Sequence, residues 1–88
     1  MGRLSTTIFK TIIMRDLNTR LLAGHIITFD NPDFHEVEII VEFRHDLPEW
    51  ANGFKITMNG ALIHSSKGFA SFEKKLLKLI NEWELVEM

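Results

Sequence analysis

The sequence predicts an α+β domain, an antiparallel β-sheet of four to five strands with one C-terminal amphipathic helix packed on one face. Three observations carry this reading: a nine-residue run alternates apolar and polar side chains, an Asn-Gly pair joins two short strand-like segments, and the last stretch spaces its apolar residues three and four apart. With 88 residues the chain makes one domain, residues 1–88, around a single small core.

The first stretch, residues 4–29, supports two readings. Thr6–Met14 is rich in threonine and isoleucine, which favours a strand, with Arg20–Phe29 as its partner and Leu17-Asn18-Thr19 between them. The same residues also place Leu4, Ile8, Ile12, Leu17 and Leu21 near one helical face, with Gly24 as a stop. The strand pair is the favoured expectation. Next, Glu36–Arg44 alternates Val37, Ile39, Val41 and Phe43 with Glu36, Glu38, Ile40, Glu42 and Arg44, fenced by Asn31-Pro32-Asp33 and Asp46-Leu47-Pro48. One face of that strand is core and the other is mostly carboxylate.

Phe54–Met58 and Ala61–Ser65 flank Asn59-Gly60, the dipeptide that best accepts the positive φ angles of a type I′ turn, so this is a hairpin. A helix is expected from about Ser71 to Glu84, with Phe72, Leu76, Leu79, Ile80 and Trp83 on one stripe, Gly68 as a bend and Ser71 as its cap. Lys74, Lys75, Lys78 and Asn81 lie on the other side. Glu73, Lys74 and Lys75 then fall in its first turn, and Glu82 and Glu84 in its last. There the lysines and the last two glutamates oppose the helix dipole, each at about 0.3–1 kcal/mol.

Composition narrows the chemistry. The chain is 45% hydrophobic and 25% charged, the mix of a folded globule. It has no cysteine, which excludes disulfides, thiolate metal sites and cysteine nucleophiles. Its apolar runs are far shorter than the roughly 20 residues that span a bilayer, and the N-terminus lacks a signal-peptide core, so a cytoplasmic protein with no membrane role is expected. His25, His35, His45 and His64 are dispersed, and none sits in the paired spacing by which a helix presents zinc ligands. They read as surface or strand-end imidazoles. Ser65, Ser66 and Ser71 stand at element ends, where capping explains them, and no glycine-rich phosphate loop is present. No catalytic set, metal site or cofactor is expected.

Charge is unevenly distributed. Residues 1–29 carry net +3, residues 30–49 net −6, and residues 50–88 net +1, so an overall charge of −2 conceals an acidic centre. Alternate residues of a strand lie about 6.6 Å apart on one face, so Glu36, Glu38 and Glu42 form a row that Asp33, Asp46 and Glu49 extend. Asp30 adds to it. Such a row attracts a basic groove built for nucleic acid through the same long-range field that steers charged partners. A solvated, edge-protecting surface gives the same pattern. Arg44, Arg15, Arg20 or Lys55 would weaken the lure by neutralising the row from within.

Tryptophan is enriched at binding hot spots. Trp50 lies outside any periodic segment, either folded back as a lid on the core or exposed as an anchor; Phe34, beside the other proline turn, is equally ambiguous. Trp83 continues the helix stripe into the core. If Phe34 and Trp50 project from loops at the two ends of the acidic strand, they bracket a charged surface with apolar anchors.

The expectation is therefore a non-enzymatic protein-binding module. In its concrete form it is a stoichiometric inhibitor or adaptor that occludes a nucleic-acid-handling effector, as virus-encoded anti-defence or anti-CRISPR-type inhibitors do, with Glu36, Glu38, Glu42, Asp33, Asp46, Glu49, Trp50 and Phe34 as its contact residues. The alternative is a single-stranded nucleic-acid binder using sheet aromatics and Lys67, Lys74, Lys75 and Lys78. A homodimer is a third possibility.

Overall fold

The computed structural model describes residues 16–88, apart from the side chain of Phe34. These residues form an α+β fold. Helix α1 covers residues 16–22. It is followed by β1 (Ile27–Asn31), β2 (Phe34–Arg44), a 3-10 turn (Glu49–Ala51), β3 (Gly53–Met58), β4 (Ala61–Ser66), α2 (Phe69–Trp83) and β5 (Val86–Glu87). The five strands make one antiparallel sheet in the order β4-β3-β2-β1-β5.

The acidic strand and the hairpin form where the sequence places them. Phe54 opposes Ser66, Met58 opposes Ala61, and Asn59 and Gly60 turn at φ 49° and 88°. Asn59 also works past the turn. Its amide NH donates to the Glu38 carbonyl, its Oδ1 accepts from the Glu38 NH at 2.8 Å, and its Nδ2 donates to the Glu36 carbonyl at 3.0 Å. One side chain thus continues the β2 ladder where β3 has ended.

Two expectations need correction. The strand proposed over Arg20–Phe29 is helical through residue 22 and becomes a strand only at Ile27, so the described residues hold two helices, not one. Helical spacing decides this: Leu17 and Leu21, one turn apart, are both fully buried. Gly24 at φ 99° ends α1, with its NH bonded to the Leu21 carbonyl and the His25 NH to the Arg20 carbonyl, a Schellman closure. The companion strand expected over Thr6–Met14 lies outside the described residues.

The second correction concerns the start of α2. The helix begins at Phe69 with Gly68 at the N-cap and no side-chain capping bond, so Ser71 lies inside the helix instead of capping it. Phe69 explains the early start, because its ring meets those of Phe54 and Phe72 at 5.4 and 5.5 Å between centroids. Glu73, Lys74 and Lys75 then fall beyond the first turn, and the dipole mismatch at that end largely disappears.

Side chains alternate between faces along a strand, and the buried apolar set lies on one of them. Ile27, Phe29, Val37, Ile39, Val41, Phe54 and Ile56 pack with Leu17 and Leu21 of α1, with Phe72, Leu76, Leu79 and Ile80 of α2, and with Leu85. Burying each such side chain contributes roughly 1.5–3 kcal/mol. Trp83 is half-buried at the margin of this cluster and not deep within it. Both helices therefore bury their apolar stripes on this inner face, and the acidic strand turns its carboxylates to the outer one.

Candidate functional site

The register assembles the outer face row by row. Thr28, Ile40, Thr57 and Leu62 oppose one another across β1 to β4, and Glu42, Lys55 and Ser65 form the next row. Asp30 opposes both Glu38 and Val86, which puts the three side chains on the same face. Glu36 and Glu38 alternate with the buried Val37 and are exposed.

These carboxylates divide into two electrostatic groups. Neither Glu36 nor Glu38 has an ion-pair partner among the described residues. Glu42 is half-buried and lies 3.6 Å from Arg44. Arg44 Nε donates to Asp46 Oδ1 at 2.8 Å, and this bond holds the Asp46 carboxyl down to about 2. One guanidinium therefore offsets two of the predicted contact residues. Asp30 is engaged as well: its Oδ2 is 2.8 Å from His35 Nδ1 and its Oδ1 accepts from the Asn31 NH, contacts that keep its carboxyl below the ordinary range, the histidine first.

Lys55 is 8% exposed and donates to Ser65 Oγ at 2.7 Å. It sits beside Glu42 in register but forms no ion pair with it among the described residues. Arg20, the other candidate neutraliser, is turned away from the row and bonds Glu87 instead. Arg15 lies outside the described residues.

Trp50 is not a lid on the core. It is 84% exposed and stands on the 3-10 turn. That turn is tightly framed: the Ala51 NH bonds the Pro48 carbonyl at 2.8 Å, the Leu47 NH bonds Asn52 Oδ1 at 2.9 Å, and Lys67 Nζ bonds the Glu49 carbonyl. Gly53 follows at φ 135°, where a β-carbon would lie 2.3 Å from the Ser66 carbonyl oxygen, so only glycine lets β3 start this close to β4.

The bracket is described at one end only, where Trp50 stands, because the Phe34 side chain lies outside the described residues. Phe34 is the first residue of β2, opposite Asn31, and not a loop residue. Asp33 is exposed in the turn before it, its NH bonded to Asn31 Oδ1 at 2.8 Å. Asp46, Glu49 and Trp50 stand beyond the other end of β2, whose stretch from Glu38 to Arg44 alone spans roughly 20 Å. Of the predicted set, Glu36 and Glu38 are brought together without an ion-pair partner among the described residues.

Sequence reasoning missed apolar residues on the same face: Ile26, Val86 and Met88 at the β5 edge, and Leu62 on β4, all exposed. A two-residue strand after a helix leaves no periodic signal, and only its pairing with β1 shows where Val86 points. Of the lysines, Lys67 is tied to Glu49, Lys75 is half-buried, and Lys74 and Lys78 are exposed. His64 is half-buried with Nε2 unpartnered, not a surface imidazole. Among the described residues no three acids or histidines converge as metal ligands, and no helix is long and apolar enough to cross a membrane. Comparison with family models, curated proteins and solved structures gives no match to this chain.

Proposed function

We propose that this protein is a cytoplasmic, non-enzymatic binding module that acts by occupying the surface of a protein partner. The observation that carries the reading is the Glu36–Glu38 pair, exposed, without cations among the described residues, and held in place by the Asn59 side chain on the sheet face opposite the helices. A pair of exposed carboxylates on a backbone pinned in this way, without cations among the described residues, is suited to a basic surface, because like charges on adjacent same-face positions cost a few tenths of a kcal/mol each and a cationic partner removes that cost. A nucleic-acid-handling protein, whose working groove is basic, fits this chemistry. The protein would then be its stoichiometric inhibitor or adaptor, an anti-defence inhibitor being one such case.

The test compares the native protein with the E36K/E38K double variant. Partners captured from the host by the native protein should be lost from the variant, and the loss should be larger at low than at high salt, since screening acts on exposed charges. Equal loss at both would remove the electrostatic role. Direct single-strand binding is the second reading, favoured by exposed Trp50, Lys74 and Lys78. It predicts a salt-sensitive gel shift with labelled oligonucleotides that K74E/K78E abolishes.

A further inference from the structure

We infer that the partner element seated on the outer face is a basic amphipathic α-helix, an inference that rests on the partner-binding reading above. The face carries apolar surface as well as charge. Val86 pairs with Asp30, and the Met88 NH donates to the Thr28 carbonyl at 2.9 Å, so the chain returns after α2 to run along β1. Alternation from Val86 puts Met88 on the outer face, and Ile26 precedes the inward Ile27. Ile26, Val86 and Met88 are 66%, 41% and 64% exposed, with the half-buried Ile40 two strands in from Val86. Ile26, Val86 and Met88 therefore make an exposed apolar patch at the β5 edge of the face, with Thr28 and Asp30 of β1 between it and Ile40, and Glu36 and Glu38, without cations among the described residues, stand on the β2 side.

A sheet with helices on one face and an exposed apolar patch at the edge of the other is complemented by a helix laid over that patch. Cations one turn apart on a helix are spaced about 5–6 Å, close to the roughly 6.6 Å between same-face strand residues. A helix with an apolar stripe and a lysine or arginine pair on its flank thus satisfies both parts of the face at once. An acidic helix of equal hydrophobicity is rejected by Glu36 and Glu38, which makes the charge pair the selective element.

The experiment titrates the full-length protein with a synthetic Leu/Lys amphipathic helix, with the same peptide carrying Glu for Lys, and with oligothymidine. The Leu/Lys helix should bind, shifting the amide resonances of Thr28, Ile40 and Val86, and the Glu peptide should not. I26D/M88D, checked for an unchanged circular dichroism spectrum, should weaken the Leu/Lys peptide at least about tenfold, and E36K/E38K should do the same. Unchanged affinity in I26D/M88D, no binding of the Leu/Lys helix, or oligothymidine shifting the same resonances overturns the inference. A host partner lost from E36K/E38K but retained by I26D/M88D refutes the helix while leaving the proposed function standing. A partner retained by both refutes the two together.

Discussion

Glu84 closes α2 in the left-handed region at φ 51°, its NH on the Ile80 carbonyl, and the Leu85 NH reaches the same carbonyl at 3.0 Å. A β-carbon in that region costs roughly 1 kcal/mol, which glycine avoids. Glu84→Gly is therefore expected to raise stability by about 0.5–1 kcal/mol, read as a higher urea midpoint at unchanged slope. Gly53 is the opposite case, because both its φ and the nearby Ser66 carbonyl forbid a side chain. Gly53→Ala should lower stability by about 3 kcal/mol, since strain adds to a backbone displacement. A midpoint within error of the native protein would show that β3 and β4 part there without penalty.

Elements are tied together by a few directed contacts. Arg20 of α1 donates twice to the Glu87 carboxylate of β5, the Nη1 bond being 2.8 Å, and it also lies 3.6 Å from Asp16. The Arg20 bond depresses the Glu87 carboxyl below its ordinary value of 4.5. A depressed carboxyl contributes stability that is present above its unfolded value and lost as pH falls through the folded one. Arg20→Ala should thus cost about 1–2 kcal/mol at neutral pH and flatten the loss of stability below pH 4.5. An acid profile identical to that of the native protein would show that the pair contributes nothing. The sheet edges are managed at this scale too. β5 has only two residues, and the register of β4 slips beside Ile63, so neither edge offers a long regular ladder to another chain.

Across the described residues, layers and charge are arranged together: helices cover the inner face, and the outer face carries acid at one end of β2 and Arg44 at the other. Arg44 sets how much of the acidic centre is available, because it offsets Glu42 and Asp46. Arg44→Gln should release both carboxylates and strengthen low-salt binding of a basic partner severalfold, the gain vanishing at high salt. Titration of Asp46 in this variant checks the cause directly, since its carboxyl should rise from about 2 toward its usual 3.8. Weaker binding by the variant would assign Arg44 to the interface itself.

The sequence by itself determined the elements whose signals are local. Alternation in Glu36–Arg44 marked β2, Asn59-Gly60 marked the hairpin, and the stripe from Phe72 to Trp83 marked α2, because each pattern is imposed by the geometry of a single element. It also put Glu36, Glu38 and Glu42 on one side. Only the tertiary structure decided which of these carboxylates lack a cation among the described residues, because neutralisation depends on where Arg44 and Arg20 reach, and side-chain reach is not periodic. Tertiary burial likewise chose between the two readings open for residues 16–22, seating Leu17 and Leu21 on one helical face, and moved the start of α2 to Phe69. It also brought Val86 and Met88 onto the acidic face. Such pairings join residues distant in sequence, and their energy comes from burial and register, which no window along the chain contains.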